Sequence, residues 1–193
     1  METMCEECGI FYDKPELIVT DLYNYQAKPQ RFYNRQDHFK EVLGQFQGCE
    51  GKEIPMEIIE KIKNAVPLQA TAEDVKTAMR NLKLTKYMEN FYCILFTITG
   101  IEPPHIPKLI QDKLIRMFKQ IDRVYQIVSK EKRKSFLNYY YVLFKLLDLM
   151  DQTELLPKVP LLKTRIRLKQ HDSVWKKICE ELGWTFKLTF AAP

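Results

Sequence analysis

The segment from Ser135 to Asp151, SFLNYYYVLFKLLDLMD, constrains this chain more than any other. Phe136, Leu137, Tyr139, Tyr140, Tyr141, Val142, Leu143, Phe144, Leu146, Leu147, Leu149 and Met150 would make a helix apolar on nearly every side. Such a helix is buried, either among other helices or in a bilayer. A bilayer span takes about 20 apolar residues. This segment is shorter and is interrupted by Asn138, Lys145 and Asp148. It therefore predicts the central helix of a soluble bundle, with no membrane partner.

The rest of the chain supplies helices to surround it. Only six glycines occur in 193 residues, which favours helices over a turn-rich β fold. Apolar residues recur in threes and fours: Phe39, Val42, Leu43 and Phe46 up to Gly48, then Ile58, Ile59, Ile62, Ala65 and Val66 between Pro55 and Pro67. Thr71-Ala-Glu-Asp74 reads as a capping box with a short acid, ahead of Val75, Ala78, Met79 and Leu82. Further helices are expected over about Thr85–Thr99 and His105–Ser129, separated by Gly100 and Pro103-Pro104. The last has Asp172 as its cap, Val174, Trp175, Ile178, Cys179 and Leu182 inward, and Gly183 as its stop. Trp184, Phe186, Leu188 and Phe190 alternate with Thr185, Lys187 and Thr189, the pattern of one closing strand. The expected architecture is mainly α: an orthogonal helical bundle over 34–193, after an N-terminal segment 1–33 with two short extended runs.

Charge is distributed unevenly. From Lys158 onward there are eight basic and three acidic residues, against twenty-two of each before it, so the net charge of +5 falls entirely in this last part. Such asymmetry points to a polyanionic partner, most often nucleic acid. Lys163, Arg165, Arg167 and Lys169 are the leading candidates for phosphate contact, followed by Lys176 and Lys177. As a strand, 163–169 would put four cations on one face; as a helix, it would spread them over two sides. The neighbouring helix and the lack of Gly or Pro favour the helix.

Five cysteines without regular spacing give no disulfide framework and fit a reducing, intracellular setting. Cys5-Glu-Glu-Cys8-Gly9 has the shape of a zinc knuckle, in which two thiolates reach one metal and glycine closes the turn. A structural zinc takes four ligands, so this metal site is incomplete. Catalytic patterns fail. Gly48-Cys-Glu-Gly51-Lys52 lacks the first glycine and the hydroxyl residue of a phosphate loop and follows a helix, not a strand. His38 and Glu41 lie one helical turn apart, and His171-Asp172 reads as a surface histidine beside a cap. No serine or cysteine lies in a nucleophile motif, so the chain reads as non-catalytic.

The order of motifs is itself distinctive. The Cys5–Gly9 knuckle leads into RQDHFKEVLGQFQGCEGKEIP, then TAEDVKTAMRNLKLTKYMENFYCILFTITGIEPP, then PLLKTRIRLKQHDSVWKKICEELGWTF. This resembles the poxvirus late transcription factor three-like family of large DNA viruses. The strongest pieces are His38-Phe39 to Gly48, Lys83 to Tyr87, Gly100 to Pro104, and Trp175 to Trp184. The resemblance implies a trans-activator of viral late genes, acting in the infected cell with promoter DNA, the viral multisubunit RNA polymerase and other late transcription factors. It also implies an N-terminal zinc ribbon of two C-x-x-C knuckles before a helical domain. Cys5 and Cys8 match the second knuckle, and the first is absent from this sequence, so the resemblance implies zinc with half its ligands missing. In layout, a ribbon before a helical body is similar to the general initiation factor that bridges promoter and polymerase, whose body is cyclin-like.

Overall fold

The computed structural model describes residues 2–4, 11–13, 33–48, 54–128 and 135–189. The chain divides into two compact units, Met1–Tyr33 and Asn34–Pro193. In the first, β1 (Glu2–Met4) pairs antiparallel with β2 (Phe11–Asp13), with Met4 opposite Phe11 and Glu2 opposite Asp13. Cys5 and Cys8 lie outside the described residues, in the sequence that joins the two strands.

The second unit is helical: α1 (Arg35–Phe46), α2 (Met56–Asn64), α3 (Ala72–Asn81), α4 (Phe91–Thr99), α5 (Lys108–Val128), α6 (Tyr139–Leu149) and α7 (Arg165–Leu182). Local chemistry sets most ends. Asn34 caps α1 by accepting from the Gln36 N–H at 3.0 Å, and Asn138 caps α6 by accepting from the Tyr141 N–H at 3.0 Å. Thr71 and Asp74 form the expected capping box at α3. Gly100 and Gly183 end α4 and α7 in the left-handed conformation.

Two apolar clusters form. The larger joins α1, α5, α6 and α7 and contains Phe39, Phe46, Phe118, Tyr141, Leu146 and Trp175. Phe39 stacks on Phe118 with ring centres 4.2 Å apart. The smaller joins α2, α3 and α4 through Ile62, Val75, Met79, Ile94 and Leu95. Tyr92 packs against both, and its hydroxyl donates to the Lys158 carbonyl. Burial pushes that phenol up to about 12. The all-round apolar helix is central as expected: Tyr141, Val142, Leu143, Leu146 and Leu147 are all buried.

Four expectations need correction. The central helix starts at Tyr139, because Asn138 caps it, and Ser135–Leu137 precede it without helical structure. The 85–99 segment is not one helix: a 3-10 turn over Thr85–Asn90 leads into α4. The last helix starts at Arg165, so Asp172 is not a cap but a mid-helix residue that is buried. The closing strand is absent among the described residues: Trp184–Leu188 is irregular. No strand edge stands in this unit's described residues for it to pair with. Burial follows the alternation only as far as Lys187: Trp184 and Phe186 are half-buried and Thr185 and Lys187 exposed, but Leu188 is exposed and Thr189 is buried against Asp172.

The turn after α1 is fixed by Gln47. Its side-chain carbonyl accepts from the Ile106 N–H at 2.9 Å and from Gln111 at 3.1 Å, while its amide donates to the Leu43 carbonyl at 3.1 Å. Gly48 follows at φ +65°, where a Cβ would meet Pro103 at 3.3 Å and the Cys93 backbone nitrogen at 3.4 Å. Gly100 has a similar φ but open space around it. Gly48→Ala should therefore cost more stability than Gly100→Ala. The expected losses are about 2–3 kcal/mol against about 1–2 kcal/mol, since both meet the left-handed penalty and only the first adds steric pressure. Denaturant midpoints of the two variants check the order.

Candidate nucleic-acid interface

Helix α7 carries the candidate site on one side and its own anchor on the other. Inward, Leu168, His171, Asp172, Trp175, Ile178 and Cys179 are buried. Outward, Arg165, Arg167, Lys169, Lys176 and Lys177 are exposed, as is Lys163 just before the helix. None of these six cations is paired with a carboxylate among the described residues. At about 100° per residue, Arg165, Lys169 and Lys176 fall within about 40° of one another, along about 16 Å of axis. Lys177 lies beside that row, and Arg167 falls on the far flank. The structure thus brings three of the six into line and sets the others around them.

The polarity of α7 is unusual. Peptide dipoles put partial positive charge at a helix N-terminus, so acids there and bases at the C-terminus are stabilising. In α7 the first turn holds Arg165 and Arg167 and no acid, while the last turn holds Glu180 and Glu181 and no base. Each reversed charge costs about 0.3–1 kcal/mol by the usual dipole effect. Thr164 provides no side-chain cap either. The first-turn N–H groups, which have no partner inside the helix, therefore stand among uncompensated cations. A negative group placed there would meet both.

The anchor is a buried polar cluster that the sequence reading missed. Lys145, 1% exposed in the middle of α6, sits 3.1 Å from Asp172 of α7 and donates to the Lys187 carbonyl at 2.6 Å. Asp172 also accepts from the Tyr141 hydroxyl at 2.6 Å, the Thr189 hydroxyl at 2.6 Å and the Thr189 N–H at 3.3 Å. Burial alone would raise the Asp172 carboxyl. The Thr189 and Tyr141 hydrogen bonds and the Lys145 ammonium outweigh it and hold the group below its ordinary 3.8. Burial lowers the Lys145 ammonium, and Asp172 partly offsets that. Burial, with the hydrogen bond to Asp172, raises Tyr141. The signal was present: a lysine inside a largely apolar, central helix demands a buried partner.

Neighbouring groups complete the picture. His171 is buried, not a surface residue; its Nδ1 lies 2.9 Å from the Arg167 carbonyl, so Nδ1 donates and Nε2 accepts from the Asn138 N–H at 3.1 Å. Burial pushes the Cys179 thiol up to about 11, which keeps it protonated. Lys187, counted among the tail cations, is held by Asp148 at 3.4 Å and Asp151 at 3.5 Å. His38 pairs with Glu41 at 3.0 Å, and among the described residues no three metal-binding side chains cluster. Cys5 and Cys8 offer two thiolates where a structural zinc takes four donors, half of such a site. Among the described residues, no helix is long and apolar enough to cross a membrane.

Comparison with known proteins defines the class first: the relatives are named as putative transcription factors of large DNA viruses. One from Acanthamoeba polyphaga mimivirus is 34% identical over 193 residues, 95% of this chain and 44% of the relative. One from Paramecium bursaria Chlorella virus 1 is 32% identical, covering 97% of this chain and 53% of the relative. One from Invertebrate iridescent virus 6 is 27% identical, covering 80% and 46%. The chain spans about half the length of these relatives. Residues 27–186 match the family described as Poxvirus Late Transcription Factor VLTF3 like, and the chain belongs to that family. No solved structure matches.

The anchor gives two predictions. Lys145→Met should cost about 3–5 kcal/mol, because it leaves the Asp172 charge buried without its cation. Adding Asp172→Asn should restore part of that loss, measured by denaturant unfolding of both variants. The Asp172 carboxyl is lowered in the fold, so its contribution is complete above 3.8 and is lost as pH falls through the folded-state value. Thermal unfolding between neutral pH and pH about 2.5 should show a steeper acid loss for the parent than for Asp172→Asn.

Proposed function

We propose that this protein activates viral late genes by binding promoter DNA through the outer face of α7 and recruiting the viral multisubunit RNA polymerase, together with other late transcription factors, without catalysis. The supporting observation is the reversed charge of α7: unpaired cations gather at an uncapped helix N-terminus, where they weaken the helix and favour an anion. Local rules broken at a stability cost mark functional sites. Family membership and the names of the relatives support a role in transcription.

In this reading Arg165, Lys169 and Lys176 follow one strand of phosphates, Lys163 and Arg167 flank the helix start, and Lys177 is peripheral. Such contacts position a protein on DNA and carry no sequence information themselves. An orthogonal, cyclin-like body, placed as in the general initiation factor, and a zinc held by Cys5 and Cys8 with two donors from elsewhere belong to the same proposal. Metal analysis of the purified protein tests the zinc.

Binding of a late-promoter duplex across a salt series tests the DNA reading. The parent should lose affinity steeply with salt, since each neutralised phosphate releases counterions. Arg165→Glu with Lys169→Glu should weaken binding at least tenfold at low salt. The same pair should leave thermal stability unchanged or raise it, by about 0.3–1 kcal/mol from position 165, because an acid suits the first turn of a helix. Binding equal to the parent's would remove α7 from the interface. No DNA binding at low salt, with polymerase subunits still co-purifying, would make the protein an adaptor that meets only proteins.

A further inference from the structure

Helix α5 presents a second charged face that net charge along the sequence conceals. It holds five cations and two acids. Both acids are engaged: Asp112 with Lys108 at 3.2 Å, and Asp122 with Arg35 of α1 at 3.0 Å. Lys113, Arg116, Lys119 and Arg123 remain, all exposed and none paired with a carboxylate among the described residues. The opposite side of the helix is fully occupied, with Leu114, Phe118, Ile121 and Tyr125 buried against the larger core.

Lys113, Arg116, Gln120 and Arg123 follow the spacing i, i+3, i+7, i+10, a straight row on a helix, with Lys119 beside it. The row rises about 15 Å, the axial length of about four phosphates of one DNA strand. No aromatic side chain stands in it; Phe118 and Tyr125, the aromatic residues of α5, are buried. A protein interface would need an apolar centre depleted in charge, and single-stranded nucleic acid would need a stacking platform. Leu109 and Ile127 are exposed, at 76% and 64%, but sit near the two ends of the helix rather than within the row.

We propose that this outer face of α5 is a second contact surface for the phosphate backbone of duplex DNA, with Lys113, Arg116, Lys119 and Arg123 as its contacts. The proposal rests on the DNA-binding reading of α7 and adds a separate surface to it. Helices α5 and α7 pack along one another in the same core. A duplex gripped at both would be fixed in orientation, where a single row leaves it free to turn.

The test measures fluorescence anisotropy of a labelled duplex with the full chain across a salt series. The variants are Arg116→Gln with Lys119→Gln and Arg123→Gln on α5, Arg165→Gln with Lys169→Gln and Lys176→Gln on α7, all six together, and a charge control on exposed residues of α2 and α3, Lys61→Gln with Lys63→Gln and Arg80→Gln. Thermal unfolding confirms that each variant folds. Three lost contacts should make the slope of log affinity against log salt shallower by about 2.7. The expected result is such a loss for the α5 set, a further loss for all six, and no comparable loss for the control. An α5 set that binds like the parent while the α7 set fails overturns this proposal and leaves α7 in place. A control that loses as much as the α5 set reduces the effect to net charge and also overturns it. No duplex binding by the parent overturns both readings, and loss of polymerase co-purification in the α5 set alone would then assign this face to an acidic protein.

Discussion

The pairing of Lys145 with Asp172 is the interaction through which the larger core is fastened. Each charge alone would be costly in that position, and neither could be removed without stranding the other. Together they draw on three separate stretches of chain: α6 through Lys145 and Tyr141, α7 through Asp172, and the segment after Gly183 through Lys187 and Thr189. The Lys145 ammonium also lies over the rings of Tyr141 and Phe186, 5.6 Å from each ring centre. Apolar packing would hold α6 and α7 together in several rotational settings. A carboxylate with four donors fixes one of them, and so fixes which side of α7 faces water.

That division explains how α7 tolerates its own electrostatics. A helix with bases at its start and acids at its end would be marginal alone. Here Trp175, Ile178 and Cys179 are buried on the opposite side and Asp172 is locked by hydrogen bonds. Stability comes from the inward face, which leaves the outward face free to carry charges that do not serve folding.

Much of this architecture was legible in the sequence, because it depends on local rules. The apolar stripes of α1 to α5, the capping box at Thr71, the stops at Gly100 and Gly183 and the burial of the 139–149 segment each follow from residues within a turn or two of each other. What was not legible depends on partners far apart in the chain. Asp172 reads as a cap until Lys145, Tyr141 and Thr189 are placed around it. The alternation after Gly183 reads as a strand until the available partners prove to be side chains. Of the candidate site, the cations of α7 were found from charge, but the row on α5 was not. Linear counting cancels Asp122 against a neighbour on α5, whereas in space Asp122 belongs to Arg35 on another helix.

The reversed charges of α7 carry one more implication. In the DNA-binding reading, the free protein is the electrostatically frustrated state, with like charge facing the positive end of its own dipole. A polyanion would act at once as counter-charge and as the missing cap, so that binding relaxes a tension already present in the fold. The same helix start would then be tightest when occupied, and the ligand would complete the secondary structure that the sequence leaves unfinished.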